Sequence, residues 1–212
     1  EEIFSTLPSV LGLVCDITSM QSIRQALDKA IFHFGGVDVL ISNAGLFPKS
    51  LSIEKMEEAV WEKTLSVNLT GHQKMLTQLI PYLKLGIKPA VVFIGSKNVP
   101  APGPNASAYS VAKAGLTQFA RVAAFELGSF GIPVNVLHPN AVFDTAIWTP
   151  EVLETRAKSY GLTIDQYKKN NILRVEITSK DVAHLALTCA SSTFSKTTGA
   201  QIPIDGGNER VI

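Results

Sequence analysis

Val91-Val92-Phe93-Ile94-Gly95-Ser96 is the stretch on which the fold turns. Its four apolar residues are β-branched or aromatic and end at a glycine. They read as a strand buried on both faces, with Ser96 just past its C-terminal end. After residues 97–108 comes Tyr109-Ser110-Val111-Ala112-Lys113. Tyr109, Leu116, Phe119, Ala120, Ala123 and Leu127 recur at helical spacing, which predicts a helix from Ala108 to Leu127. Tyr109 and Lys113 lie one turn apart and share a face. An ammonium beside a phenol favours the phenolate. A tyrosine that titrates near ~10 needs such help to move protons at neutral pH. A hydroxyl from Ser96 could hold the oxygen that the phenol serves. Tyr-x-x-x-Lys alone also arises by chance in helices, so the surrounding chain has to decide between proton transfer and coincidence.

Outward from this stretch, apolar runs alternate with amphipathic helices. Val10 to Cys15 reads as a strand, followed by a helix that buries Met20, Ile23, Leu27, Ala30, Ile31 and Phe34, with Ser19 as N-cap and Gly35-Gly36 as stop. Val37 to Ile41 is the next strand, and after a loop a long helix runs from about Ile53 to Leu83. Val134 to Leu137 and Gln201 to Ile204 are further strands. Near-continuous apolar strands separated by helices predict an α/β fold, a parallel sheet covered on both faces. Right-handed crossovers bring all strand C-termini to one edge, where such sheets bind ligands. Polar residues collect there: Asp16 after the first strand, Asn43-Ala44-Gly45 after the second, Ser96 after the third and Pro139-Asn140 after the fourth. Each alone is an ordinary turn residue. In succession on the binding edge, they point to a cleft.

With 212 residues, 46% of them hydrophobic, the chain fits one large domain with a sizeable core. Its 19 Lys+Arg nearly balance 18 Asp+Glu, which leaves no electrostatic case for nucleic acid or an anionic membrane. No apolar run reaches the ~18 residues needed to span a bilayer. Glu1-Glu2-Ile3-Phe4 lacks the basic flank and apolar core of a secretory signal, so a soluble cytoplasmic protein is expected. Cys15 and Cys189 lie in apolar segments and read as buried reduced thiols rather than a disulfide or metal pair. His33, His72, His138 and His184 show no ligand spacing, and no metal site is expected.

Taken together, Asp16-Ile17-Thr18, Asn43-Ala44-Gly45, Val67-Asn68, Ser96, Tyr109 to Lys113, Val134-Asn135, Pro139, and Thr198-Gly199 through Asp205-Gly206-Gly207 resemble the short-chain dehydrogenase/reductase family over essentially the whole chain. The resemblance implies a Rossmann-like doubly wound sheet and a nicotinamide cofactor. It makes Tyr109 the general acid/base and Ser96 the group that orients the reacting oxygen. Lys113 would lower the Tyr109 pKa and hold the nicotinamide ribose, while Asn68 would keep a water in a proton relay. Asp16 and Ile17 would border the adenine, and Asn43, Ala44 and Gly45 would line the adenosine ribose. Pro139, Asn140 and Val142 would lie along the nicotinamide end. Asn135 would tie loops together, and Asp205-Gly206-Gly207 would form a structural turn.

Two departures stand out. The family's Gly-x-x-x-Gly-x-Gly phosphate loop is absent, and the chain opens near what should be the third strand, so about one βαβ unit, roughly 30 or more residues, is expected to be missing. With it goes the strand end that reads the ribose 2′ position; NAD is slightly favoured over NADP. After Pro139 the expected Gly is Asn140, and the expected Thr is Asp144 with Thr145 displaced by one. Residues 144–179 read as the substrate lid, with Trp148 either lining it or packed as its core. The lid's Ile147-Trp148 and Arg156-Ala157-Lys158-Ser159-Tyr160-Gly161 resemble the dehydrogenase half of bifunctional rhamnulose-phosphate aldolase/lactaldehyde dehydrogenases. A small hydroxy-aldehyde or sugar-derived carbonyl is the expected substrate. A 3-oxoacyl reductase and a non-catalytic dinucleotide-sensing or interaction module are the alternatives. The family implies a homo-oligomer, dimer or tetramer, through the Ile53–Leu83 and Ala108–Leu127 segments.

Overall fold

The computed structural model describes residues 9–208, so Glu1-Glu2-Ile3-Phe4, read above for a signal, lies outside the described residues. Four parallel strands form one sheet in the order β1 (Val39–Ser42), β2 (Ala90–Ile94), β3 (Val134–Pro139), β4 (Gln201–Ile204). Val39 lies opposite Ala90, Val91 opposite Val134, and Val136 opposite Gln201. Helix α1 (Met20–Phe34) precedes β1. A rod made of α2 (Glu58–Leu65), a π-turn at Ser66–Thr70 and α3 (Gly71–Leu83) leads to β2. Helix α4 (Ser107–Gly128) joins β2 to β3, and α5 (Pro150–Ser159), α6 (Ile164–Lys168) and α7 (Ser179–Cys189) lie between β3 and β4. The fold is Rossmann-like α/β, with all four strand C-termini on one edge.

Strand residues alternate between faces, and the two faces are covered differently. Val91, Phe93, Val134 and Val136 pack under Leu76, Leu79 and Leu83 of α3 and Leu116, Ala120 and Leu127 of α4. On the other face Val92, Ile94 and Leu137 meet Ala186 and Cys189 of α7. Coverage of both faces, expected for the whole sheet, holds only at β2 and β3. On β1 Val39 is 37% and Ile41 39% exposed, because no described helix reaches them.

Three further expectations change. Val10 to Cys15 forms no strand: no described strand runs beside it, and an apolar run becomes a strand only when its N–H and C=O groups find a ladder. The helix expected from Ile53 starts at Glu58 after a single 3₁₀ turn at Ile53–Lys55. The chain before it is held extended by Leu51, whose N–H donates to Asn105 O at 3.0 Å in a bridge to the start of α4. Phe34, expected to be buried, is 52% exposed at the end of α1. Both predicted ends of α1 hold: the N-cap Ser19 hydroxyl accepts from Ser22 N, and Gly35 at the stop takes the left-handed conformation at φ 84°. Cys15 and Cys189 are free thiols, Cys15 half-buried and Cys189 buried. Among the described residues no helix is long and apolar enough to cross a membrane, and no cluster of His, Cys, Asp or Glu could hold a metal ion.

Candidate active site

Ser96 stands two residues beyond the end of β2, and Gly95 makes its position possible. A Cβ at Gly95 would meet His138 Nδ1 at 2.7 Å and Val136 Cγ1 at 2.9 Å. His138, buried at the end of β3, brackets the Ser96 backbone: its Nδ1 lies 3.2 Å from Ser96 N and 2.9 Å from Ser96 O. The tautomer decides whether the ring accepts from the amide or donates to the carbonyl. The Ser96 hydroxyl oxygen accepts the Asn98 N–H at 3.1 Å, which leaves its own O–H to donate elsewhere.

Tyr109 sits in the first turn of α4, its ring centroid 4.8 Å from that of Phe47. Lys113, one turn on, is buried and donates through Nζ to Ile94 O at 2.7 Å, pinning α4 to the end of β2. The expected lowering of the Tyr109 pKa by Lys113 is not what this geometry produces. Burial pushes the phenol upward and the neighbouring Ser96 hydroxyl counteracts it, while the Lys113 ammonium lies 5.9 Å from the ring centroid. Burial also brings Lys113 down to about 8, within reach of physiological pH.

Asn68 lies fully buried inside the π-turn. A π-turn displaces the helical phase locally and often marks a functional position. Here it lets the Asn68 amide donate to Leu46 O at 2.9 Å and Thr64 O at 3.1 Å while its oxygen accepts from Leu46 N at 3.2 Å. The Asn43-Ala44-Gly45 loop is thereby tied down with its outer side exposed. A Cβ on Gly45 would come within 3.0 Å of Asn68 Oδ1 and 3.9 Å of Lys113 Nζ. Without one, the loop backbone passes close to both the Asn68 amide and the Lys113 ammonium. One turn beyond Asn68, fully buried His72 holds Ser42 Oγ at 2.6 Å. Burial and the Lys113 charge lower its pKa to about 4, against a smaller opposing contribution from the Ala44 backbone.

The remaining predicted residues make the following contacts within the chain. The Asp16 carboxylate accepts from Thr18 N at 2.8 Å and Thr18 Oγ1 at 2.7 Å, closing the turn before α1 and lowering its own pKa. Ile17 packs over Gly71, where a Cβ would stand 2.8 Å from it. Asn140 N donates to Ile204 O at 3.3 Å, and Val142 O accepts Thr145 Oγ1 at 2.8 Å. Asp144 closes the 144–179 segment end to end, accepting Ser179 N at 2.8 Å and Ser179 Oγ at 2.6 Å. Trp148 is half-buried against Phe143, with ring centroids 4.9 Å apart, in an aromatic cluster with Tyr167. Asn135 bridges Thr197 O and Ala200 N.

Phe47, Asn98, His72 and His138 were not among the predicted site residues. The histidines carried a usable signal: a titratable ring inside an otherwise apolar strand or helix needs a polar partner.

A family model described as enoyl-(acyl carrier protein) reductase matches residues 1–209, and the chain belongs to the short-chain dehydrogenase/reductase family. Over 203 residues it is 37% identical to the uncharacterized oxidoreductase YuxG of Bacillus subtilis (strain 168), covering 93% of this chain but 29% of that protein. Sorbitol-6-phosphate 2-dehydrogenase SrlD from Erwinia amylovora shares the fold at a TM-score of 0.86 and 24% identity, over 95% of this chain and 80% of that one. A 3-ketoacyl-(acyl-carrier-protein) reductase from Brucella melitensis, solved with NADH, gives a TM-score of 0.81 and 25% identity over 93% and 77% of the two chains.

Proposed function

We propose that this chain carries the proton-transfer centre of a nicotinamide-dependent dehydrogenase acting on a small carbonyl or alcohol. The observation that carries the reading is the meeting of Ser96, Tyr109 and the buried Lys113 ammonium beside the Gly45–Asn68 contact at the sheet's C-terminal edge. When bound, the nicotinamide supplies or accepts the hydride. The Ser96 hydroxyl, its oxygen already accepting the Asn98 N–H, donates to the substrate oxygen and fixes its place. Tyr109, kept protonated by burial, gives its proton to that oxygen in reduction and takes it back in oxidation. Lys113 would hold the nicotinamide ribose, with N–H groups beyond the one given to Ile94 O.

The 144–179 segment acts as the substrate cover, and its resemblance to the rhamnulose-phosphate aldolase/lactaldehyde dehydrogenase proteins favours a small hydroxy-aldehyde or sugar-derived carbonyl. The exposed Phe125, Val111 and Val122 of α4 support assembly into a homo-oligomer. The test is Tyr109→Phe assayed for oxidation or reduction of short hydroxy-aldehydes with either nicotinamide cofactor. Turnover should fall by about 10²–10⁴-fold, the usual scale of lost acid–base help. Retained turnover would remove Tyr109 from the chemistry.

A further inference from the structure

Lys97 follows Ser96, and its side chain is an unusual tenant for the end of a buried strand: only 5% of the residue is exposed. Its backbone N–H donates to Pro139 O at 2.9 Å, which carries the β2–β3 pairing past the strand ends. Its ammonium donates to Asn208 Oδ1, just after β4. The Asn208 amide in turn donates to Asn170 O at 2.7 Å, immediately after α6. The same turn grips residues 170–175 at further points. Leu173 N donates to Gly206 O at 3.0 Å. Gly206 and Gly207, at φ 66° and 76°, press so closely that a Cβ on either would meet Asn171 at 2.5 Å or Ile172 at 3.0 Å. Asn171 then holds its own loop shut, accepting from Val175 N at 3.1 Å and donating to Val175 O at 2.6 Å.

We propose that Lys97 is a positioning residue that fixes the substrate cover to the Ser96 loop through Asn208. A buried ammonium makes charge-assisted hydrogen bonds, shorter and stronger than neutral ones. The strut therefore sets how closely residues 170–175 sit over the edge where Ser96 presents its hydroxyl. Ser96 and the cover move as one piece, and a substrate of fixed size is held between them. The inference rests on the reading of 144–179 as the substrate cover.

The test compares Lys97→Met, which keeps the aliphatic stem without the charge, with Asn208→Leu and the double variant in the full chain. Amide hydrogen exchange is read first, since it does not depend on activity. Exchange across residues 170–175 should accelerate at least tenfold in each single variant and no further in the double, while β2 and α4 stay protected. Unchanged protection of 170–175 in Asn208→Leu overturns the proposal, and that variant decides the matter should Lys97→Met fail to fold. Steady-state kinetics is read second. KM for the hydroxy-aldehyde should rise roughly five- to fifty-fold with kcat nearly retained, unlike the turnover loss of Tyr109→Phe. A fall in kcat at constant KM would place Lys97 at the reacting atoms and overturn the strut. Wild-type protein without dehydrogenase activity would sink the proposed function alone, because the exchange result stands separately.

Discussion

His72 shows how a single buried ring converts burial into a pH response. In the folded chain its pKa is lowered to about 4 by burial and by the Lys113 charge, whereas an unfolded histidine titrates near ~6.5. Between those values the unfolded state binds the extra proton, so stability falls as pH drops from ~6.5 toward 4 and is unaffected by this group above ~6.5. A difference of that size corresponds to about 3 kcal/mol once both forms are protonated. His72→Gln, which can keep a hydrogen bond to Ser42, should flatten the acid limb of a urea-denaturation series; an unaltered limb would assign acid sensitivity elsewhere. The placement of Ser96, Tyr109 and Lys113 was legible in the sequence because it depends on short, regular spacings along a strand end and one helical turn. His72 and His138 were not, because their partners are remote: Ser42 lies on β1, and the Ser96 backbone comes from a neighbouring strand. Nor could spacing show that Tyr109 would be dominated by desolvation rather than by Lys113, since that depends on how deeply the ring sits.

At the scale of elements, local pattern succeeded where burial is complete. β2 and β3 are buried on both faces and were found within a residue or two; β4 matches its expected limits, Gln201 to Ile204. The failures were imposed from a distance. Val10 to Cys15 has the composition of a strand but no described strand runs beside it, while the start of α2 is delayed by the Leu51 pairing to the α4 entrance. Helix α7 illustrates how a terminus can be tested alone. Thr178 accepts the Asp181 N–H, and the Asp181 carboxylate accepts from Thr178 N at 2.9 Å and Thr178 Oγ1 at 2.6 Å. Thr178→Ala removes one arm of this capping box and should cost about 0.5–2 kcal/mol in chemical denaturation. A loss below that range would mean that the Asp144–Ser179 bonds suffice to hold the helix end.

Over the whole molecule, exposed apolar surface is unevenly placed. Phe125 on the outer side of α4 is 87% exposed, and Val39 and Ile41 of β1 form a second, separate apolar site. An unpaired apolar strand face invites non-specific association, whereas a phenylalanine on a long helix suits a defined helix–helix contact. Phe125→Glu should therefore convert an oligomer to a smaller species in sedimentation velocity. Replacing Val39 and Ile41 with threonine should leave the discrete species unchanged and reduce only aggregates. The opposite pattern would put the assembly surface at β1.

Gly95 and His138 occupy one volume, since any Cβ on the first would stand 2.7 Å from the ring of the second. Substitution at these positions is consequently ordered in time: the ring must go before a side chain can arrive. Because the same Cβ would also stand 2.9 Å from Val136 Cγ1, a library randomised at 95, 136 and 138 should return alanine at 95 only together with smaller residues at both 136 and 138. Ancestry, and not chemistry alone, then limits which serine loops a descendant of this chain can reach.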